Sequence, residues 1–294
     1  MKKKSFPVYD ITTFQHLGNG SNFYANDFRS HLKQNKHLIL LPHGHDFYMS
    51  VLFTAGNGTH EIEFNNYLIK PGRVFMLGPG QVHTWELSDN IDGYIFFHTK
   101  EFYDLNFTYE KVANYPFFSS LGNTPLIVLK KSSLKKIESM FSEIVKEYHH
   151  NELMKFKKLF SMVNILYIEL SREYLPQKMR DDQNLPYLAR VRQLEELINT
   201  NFVDIKSPGQ YARLMYVGEK HLNRMVKVSL NKTTSDLITE RIILEAKRML
   251  VFSKKTIAEI IDELGYTDSA YFFRFFKKKT ALTPTAFLEQ FRRI

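Results

Sequence analysis

The hydrophobic pattern of the chain changes from a two-residue to a helical period near residue 130. Before that point, short apolar runs alternate with turns rich in Gly, Pro and Asn, such as Asn65-Asn66. The runs read as strands at residues 39–41, 47–53, 60–64, 74–77, 83–87 and 94–97. Strands and turns at this regular spacing predict an all-β barrel or sandwich rather than alternating βαβ units.

Beyond residue 130 the apolar positions recur every three or four residues, which predicts two amphipathic helices. Their apolar stripes are Leu134, Ile137, Phe141, Ile144, Val145 and Tyr148, and then Phe156, Leu159, Phe160, Val163, Leu166, Tyr167, Leu170 and Tyr174. Such stripes must pack on another surface, either the barrel wall or the same helices of a second subunit.

A polar stretch that follows these helices is bracketed by prolines and shows no apolar period. These features are typical of a connection between domains. We therefore expect an N-terminal domain over residues 1–175, a linker over residues 176–187 and a C-terminal domain over residues 188–294.

The last third of the chain contains an internal repeat. His-Leu-Asn-Arg-Met-Val-Lys at 221–227 matches Tyr-Phe-Phe-Arg-Phe-Phe-Lys at 271–277, 50 positions later. Each copy reads as a short helix, a turn and a second helix, with Gly265-Tyr266 supplying the turn of the second copy. A long helix over 235–251 separates the copies, so the sequence predicts two helix-turn-helix units held at a fixed spacing.

The second helix of each unit is expected to divide into a buried and an outward face. The apolar residues predicted to be buried are Leu222, Met225 and Val226 in the first copy and Phe272, Phe275 and Phe276 in the second. The outward residues are then Lys220, Asn223, Arg224 and Lys227, followed by Ser269, Ala270, Phe273, Arg274 and Lys277. Such helices would enter successive major grooves roughly 34 Å apart.

The outward side chains suit DNA. Arg224 and Arg274 can bind guanine bidentately and Asn223 can bind adenine, whereas Lys227 and Lys277 suit phosphates. Phe273 can touch a thymine methyl group or rest on sugar. The alternative for Arg224 is an ordinary surface charge paired with a neighbouring acid.

Charge favours the same kind of partner. The 294 residues contain 40 Lys and Arg against 31 Asp and Glu, a net charge of +9, and residues 188–294 alone hold 19 basic and 12 acidic side chains. A basic C-terminal domain suggests a polyanion such as nucleic acid, although a merely basic surface would have the same composition.

Composition excludes several other classes. The chain has no cysteine, which excludes a disulfide framework, a thiolate metal site and a cysteine nucleophile. It shows no signal peptide and no uncharged apolar run of 18 residues, so we expect a soluble, cytoplasmic protein without a membrane partner.

The repeat region resembles the AraC/XylS family of bacterial transcription regulators. The resemblance is carried by residues 237–250, 256–260, 264–266, 269–278 and Leu282-Thr283-Pro284. The sequence departs from the family at Ile261, where Ala is usual, at Asn231 and Ala281, where Gly is usual, and at Phe287-Leu288, which replaces Tyr-Arg.

The resemblance implies a transcription regulator, most often an activator, that binds double-stranded DNA as a homodimer and contacts RNA polymerase. By motif match, the DNA-reading positions of the family fall on Lys220, Asn223, Arg224, Ala270, Phe273 and Arg274.

Residues 15–105 resemble the cupin-type sensor domain that many AraC regulators carry. The resemblance is carried by residues 41–48, 56–62, 70–77, 79–83 and 93–97. It implies a small barrel whose interior holds a small-molecule effector, with His43, His45, His83 and Trp85 as candidate effector-binding residues. Each of the four can equally be an ordinary structural side chain satisfied by backbone.

His43-x-His45 with a distant His83 also suits a metal such as iron, zinc or nickel. Metal-binding cupins add a carboxylate shortly after the histidine pair, and residues 47–53 contain none. We therefore expect no metal, no cofactor and no catalysis.

The sequence thus predicts an α+β chain: a cupin-like β-barrel with amphipathic helices for effector binding and dimerisation, then a linker and an all-α DNA-binding domain. Two alternatives remain. The barrel of a ligand-independent regulator would serve only for dimerisation, and a metal-dependent cupin enzyme would use the histidines for catalysis.

Overall fold

The computed structural model describes residues 6–15, 22–39, 41–105, 111–118, 124–175 and 185–292. The described residues form two compact units, an N-terminal unit over residues 6–175 and a C-terminal unit over residues 185–292. The described part of the first unit is rich in strands and that of the second consists of helices, so the predicted α+β fold class is confirmed. No described helix is long and apolar enough to cross a bilayer.

The N-terminal unit contains ten strands among its described residues. They are β1 (Val8–Tyr9), β2 (Phe23–Asp27), β3 (Gly44–His45), β4 (Tyr48–Ala55), β5 (Gly58–Ile62), β6 (Asn65–Ile69), β7 (Arg73–Leu77), β8 (His83–Leu87), β9 (Asp92–His98) and β10 (Leu126–Val128). Its helices are α1 (Phe28–Ile39), α2 (Lys100–Asp104), α3 (Lys131–His149) and α4 (Lys155–Tyr174), with short 3₁₀ helices at Ile11–Phe14 and Val112–Asn114.

These strands form two main sheets that share one interior. The larger has the order β10-β7-β4-β9-β2, the smaller has the order β6-β5-β8, and β1 pairs with β3 in parallel. Strand β4 lies at the centre of the larger sheet, antiparallel to both β7 and β9. A bridge between His43 and His83 joins the segment before β3 to the start of β8.

The two faces of β4 belong to two different apolar cores. Met49, Val51 and Phe53 lie in the core between the sheets, together with Trp85 of the smaller sheet. Leu52 belongs to a second core on the opposite face of the larger sheet. Because successive side chains of a strand point to opposite faces, burial of both faces fixes the register of β4.

Helices α3 and α4 cover the outer face of the larger sheet. Their buried apolar residues belong to the second core; they are Ile137, Phe141, Ile144, Leu159, Val163, Leu166, Tyr167 and Leu170. Of the two packing surfaces that the sequence left open for these stripes, the structure shows the barrel wall. Burying each such side chain contributes about 1.5–3 kcal/mol.

Two details of the predicted strands are wrong. Ile39 is not in a strand but ends α1, whose inward face combines Phe28 with the buried polar residues His31 and Asn35. The predicted turn at Asn65-Asn66 lies instead at Glu63 and Phe64, whose φ angles are 50° and 64°, and Asn65 already starts β6.

The C-terminal unit contains seven helices among its described residues. They are α5 (Leu185–Asn201), α6 (Pro208–Leu214), α7 (Glu219–Leu230), α8 (Thr234–Phe252), α9 (Ile257–Glu263), α10 (Ser269–Thr280) and α11 (Pro284–Arg292). Helix α5 begins at Leu185, so residues 185–187 of the predicted linker are helical, and residues 176–184 lie outside the described part. Pro186 is compatible with this start because a helix can hold proline in its first turn.

Helix α8 is the long connecting helix that the sequence places at 235–251. It begins with a reciprocal cap, in which Thr233 accepts from the Asp236 backbone N–H and the Asp236 carboxylate accepts from the Thr233 backbone N–H. At 19 residues it is about 28 Å long. It contacts α5, α6 and α7 of one half of the unit and α9 and α11 of the other, so it spans both helix-turn-helix units.

Helices α7 and α10 end in the same left-handed way. Asn231 and Ala281 follow their last residues with φ angles of 55° and 64°, and their N–H groups donate to the carbonyl oxygens of Lys227 and Lys277. These are the two positions at which the sequence lacks the glycine usual in the AraC/XylS family. Asn tolerates this backbone conformation, whereas for Ala it costs about 1 kcal/mol or more.

Ala281→Gly should therefore stabilise the C-terminal unit by about 0.5–1 kcal/mol, because glycine adopts the left-handed conformation without a steric penalty. Urea denaturation of the two variants in parallel measures the change. The matched control is Ala189→Gly on the exposed side of α5, where the backbone is right-handed and the same substitution should cost about 1 kcal/mol. A loss of stability in both variants would contradict the strain at Ala281.

Candidate functional sites

The first helix-turn-helix unit is built from α6 and α7. Tyr216 makes the turn with a φ angle of 55°, and the Val217 N–H donates to the carbonyl oxygen of Ala212. Tyr216 is 96% exposed, so the left-handed position is filled by a residue that packs on little else. The turn brings α7 into contact with α6.

The second unit, built from α9 and α10, uses glycine at the equivalent turn. Gly265 has a φ angle of 72°, and a Cβ atom there would lie 2.5 Å from the carbonyl oxygen of Val203. Five residues separate α9 from α10, against four between α6 and α7. Asp268 then caps α10 by accepting from the Tyr271 N–H. The second copy therefore has one more residue between its two helices than the first. The offset of 50 positions holds for α7 and α10, and it is 49 between the turn residues Tyr216 and Gly265.

The buried faces of the two second helices agree with the sequence except at one residue. The buried residues are Leu222, Met225 and Val226 on α7 and Phe272 and Phe276 on α10. Phe275 was predicted to be buried but is only half-buried, and its ring stacks against Tyr266 and Tyr271. The second unit thus extends its aromatic core into a partly exposed cluster.

The outward face of α7 presents the residues that the sequence predicts for DNA. Lys220, Arg224 and Lys227 are exposed and Asn223 is half-buried. All four line one open groove, whose other lining residues are Gly218, His221 and Thr233. On α10, Ala270, Arg274 and Lys277 are exposed and Phe273 is half-buried. The structure therefore brings the predicted residues of each unit onto one helix face.

Asn223 has a structural task that the sequence did not reveal. Its Oδ1 accepts from the backbone N–H of Thr234 at 3.1 Å, at the first residue of α8. Bidentate binding of adenine uses both the oxygen and the nitrogen of an Asn side chain. An amide oxygen has two lone pairs, so the bond to Thr234 uses one acceptor position of Oδ1 and fixes the orientation of the Asn223 side chain in the free protein.

Arg224 is held by neighbouring side chains that are not acidic. Its Nη2 donates to the Tyr187 hydroxyl at 3.0 Å and lies 3.3 Å from His221 Nδ1. These contacts therefore differ from the alternative interpretation of the sequence, in which Arg224 is a surface charge paired with a neighbouring acid. The guanidinium stays positively charged and faces the groove.

The candidate effector-binding residues of the N-terminal unit lie together in its interior. His43, His45, His83 and Trp85 are all buried, and the ring centroid of His83 lies 4.3, 5.2 and 5.0 Å from those of the other three, respectively. A fifth buried side chain, His60, belongs to the same group, with its Nε2 3.0 Å from His83 Nδ1. We call these five residues the histidine cluster.

His60 was missed at the sequence level, although a signal was present. It lies in β5 directly opposite Trp85 of β8. Residues directly opposite each other in an antiparallel pair share one face of the sheet. Once the two strands are paired, an inward Trp85 therefore implies an inward His60.

The hydrogen bonds fix part of the protonation of the histidine cluster. Backbone carbonyl oxygens accept only, so His43 Nδ1 donates to Leu41 and His45 Nδ1 donates to Phe47, each at 2.8 Å. The neutral His45 ring then has an acceptor at Nε2. Between His60 and His83 one ring donates and the other accepts, and the pair keeps one further donor and one further acceptor.

Four buried polar atoms of this cluster have no hydrogen-bond partner in the described structure. They are His45 Nε2, His60 Nδ1, His83 Nε2 and Trp85 Nε1. Leaving a buried polar group unsatisfied costs about 1–3 kcal/mol. The cluster therefore offers two donors and two acceptors at one place in the interior, all from uncharged groups.

Burial keeps these histidines neutral. It lowers the pKa of His45 to about 3 and that of His43 below its ordinary value, and it holds the pKa values of His60 and His83 well below 6.5. Proximity of the rings acts in the same direction on His45, His60 and His83. Within the described part of the chain, no group of three or more His, Cys, Asp or Glu residues is arranged to hold a metal ion.

Comparison with known protein families finds two matches, one in each unit. A profile described as an AraC-like ligand binding domain matches residues 30–98. A profile described as a helix-turn-helix domain matches residues 211–290. The first match contains the whole histidine cluster, and the second contains α7 and α10.

Among curated proteins, the chain is similar to the HTH-type transcriptional activator RhaR of Escherichia coli O139:H28. The identity is 21% over 269 residues, covering 90% of this chain and 93% of the relative. RhaR of Shigella flexneri matches at the same identity and coverage. Among solved structures, fatty-acid-bound ToxT of Vibrio cholerae strain SCE256 matches with a TM-score of 0.42 and 15% identity, over 92% of this chain and 96% of ToxT.

The histidine cluster should make the stability of the N-terminal unit depend on pH. A buried histidine with a lowered pKa remains neutral in the folded state, while the unfolded chain takes up a proton below the ordinary value of 6.5. Stability is therefore fully present above pH 6.5 and falls as the pH drops below it, by about 2 kcal/mol at pH 5 for each such residue. Thermal denaturation followed by circular dichroism between pH 7.5 and 5 measures this fall.

The control for the effect of the substitution itself is His150→Asn, which exchanges an exposed histidine outside the cluster for the same residue. His45→Asn should reduce the loss of stability between pH 7.5 and pH 5 by the contribution of one residue, about 2 kcal/mol. A melting temperature that is equal at pH 7.5 and pH 5 would refute the neutral state of the cluster.

Proposed function

The chain belongs to the AraC family of transcription regulators, and we propose that it is an activator controlled by a small-molecule effector in the N-terminal unit. The proposed binding of DNA rests on the two faces of α7. One face buries Leu222, Met225 and Val226, and the opposite face exposes Lys220, Arg224 and Lys227. A second helix with such an outward face is the part of a helix-turn-helix that enters the major groove.

Base recognition in this proposal differs between the two units. Arg224 reads a base from the first unit, and Lys220 and Lys227 contact phosphates or bases beside it. In the second unit Arg274 is the one outward side chain suited to bidentate recognition, while Ala270 and Phe273 supply apolar contact and Lys277 a phosphate contact. Because Arg224 is exposed whereas Asn223 is half-buried and oriented by its bond to Thr234, the first unit discriminates mainly through its arginine.

Effector binding in this proposal uses the histidine cluster. Its uncharged donors and acceptors, unsatisfied in the interior, suit a small neutral ligand that carries hydroxyl or carbonyl groups. The effector would shift the equilibrium between arrangements of the two units that bind DNA differently, by no more than its difference in affinity for them. The regulator would act as a homodimer in the cytoplasm and contact RNA polymerase, without catalysis of its own.

The complete burial of the histidine cluster also favours a second candidate, a regulator whose barrel binds no ligand and serves for dimerisation. His60 and His83 already bond to each other, and His43 and His45 bond to backbone. In this candidate the four buried polar atoms without a hydrogen-bond partner lower the stability of the fold and do not bind a ligand.

Arg224→Ala and Lys227→Ala should affect DNA binding in different ways. Loss of Arg224 should cost about 1–3 kcal/mol on the specific site and relax the preference at one base position. Loss of Lys227 should weaken all sequences about equally and reduce the salt slope by about one. Selection of oligonucleotides from a random pool, followed by titrations at several salt concentrations, gives both quantities. Equal weakening of random DNA by Arg224→Ala would make Arg224 a phosphate contact.

A screen of small metabolites should find compounds that raise the melting temperature of the chain, by mass action on the folded state. Trp85→Phe retains an aromatic ring but removes the Nε1–H donor, so it should reduce the shift caused by such a compound. Circular dichroism of the unliganded variant controls for its folding. If no compound shifts the melting temperature, the ligand-independent candidate is favoured.

A further inference from the structure

The contacts of Arg224 in the free protein involve the nitrogen that base recognition needs. A guanidinium can bind guanine through Nη1 and Nη2 or through Nε and Nη2, and both pairs include Nη2. Nη2 carries two hydrogens. One points to the Tyr187 hydroxyl at 3.0 Å and the other to His221 Nδ1 at 3.3 Å. Neither bidentate pair is therefore free in this arrangement.

Tyr187 is held in this position from a different helix. It lies in the first turn of α5, which packs against α7 and buries Val191, Leu194 and Ile198 in the C-terminal unit. Its ring also meets His221 edge-on, with the ring centroids 6.0 Å apart and an interplanar angle of 81°. The hydroxyl is thus positioned by the packing of α5 and by contact with a neighbour on α7.

The partners of Arg224 leave its charge intact. A hydroxyl oxygen and an imidazole nitrogen accept hydrogen bonds without neutralising a guanidinium, whereas a carboxylate would form an ion pair. Attraction to the phosphate backbone depends on that charge and carries no sequence information. Contact with Tyr187 therefore opposes base recognition selectively and leaves general attraction to DNA in place.

We propose that Tyr187 is a specificity-determining residue: with His221 it occupies Arg224 Nη2 in the free protein and competes with the base for it. Arg224 then reads its base only after the bond to Tyr187 opens. This inference rests on the proposed role of Arg224 in base recognition.

The direct test is Tyr187→Phe, which removes the hydroxyl and retains the ring that contacts His221. The full chain should bind its selected specific site about three- to tenfold more tightly, the range expected for release of one partly exposed hydrogen bond to a charged group. Affinity for random DNA should not change, and the preference for the base read by Arg224 should rise by the same factor.

Arg224→Ala supplies the background that isolates this effect. In the double variant, Tyr187→Phe should no longer change specific binding, because the group it releases is absent. Circular dichroism melts of all four proteins control for stability. An unchanged or weaker affinity of Tyr187→Phe for the specific site, or equal tightening on random DNA, would overturn the proposal.

A failure of the underlying role is recognisable in the same set of proteins. If Arg224→Ala alone binds the specific site as tightly as the unaltered chain, Arg224 does not read a base, whatever Tyr187 does. If Arg224→Ala loses specificity and Tyr187→Phe gains none, the role of Arg224 stands and the competition by Tyr187 is refuted.

Discussion

The C-terminal unit depends on the burial of one face of α7 and one face of α10. Apolar side chains at helical spacing pack inward, and this packing alone decides which residues point outward. The exposed arginines and lysines are therefore placed by residues that never contact DNA. Helix α8 then sets how far apart the two faces lie, because it packs on helices of both halves. The same apolar spacing therefore determines both the core of the unit and the exposed face that carries the candidate DNA-binding residues.

The sequence predicted elements well where one period dominated and poorly where polar residues were buried. Helices α3, α4 and α8 and the central strands follow a clear apolar spacing, and their predicted positions agree with the structure to within a few residues. Helix α1 was missed because its inward face contains His31 and Asn35, which interrupt the apolar period. The sequence pattern places the start of α5 in the linker because Pro186 looks like a break, although proline fits a first helical turn.

Site residues were predictable by type and position, but their partners were not. The helix period places Asn223 and Arg224 on the outward side, and the structure places them there. No local pattern could reveal that Asn223 bonds to the start of α8 or that Tyr187, 37 positions away, bonds to Arg224, since both contacts depend on the packing of separate helices. In the barrel the sequence supplied three histidines, and the pairing of β5 with β8 added the fourth.

Trp85 is the single tryptophan of the chain and lies within the histidine cluster. Indole fluorescence of the whole protein therefore originates entirely in the N-terminal unit, from a ring that contacts the imidazoles of His60 and His83. The C-terminal unit contributes no tryptophan emission of its own. The chain thus contains a natural spectroscopic reporter of its barrel interior, which can be followed without a label while the other unit is bound to DNA.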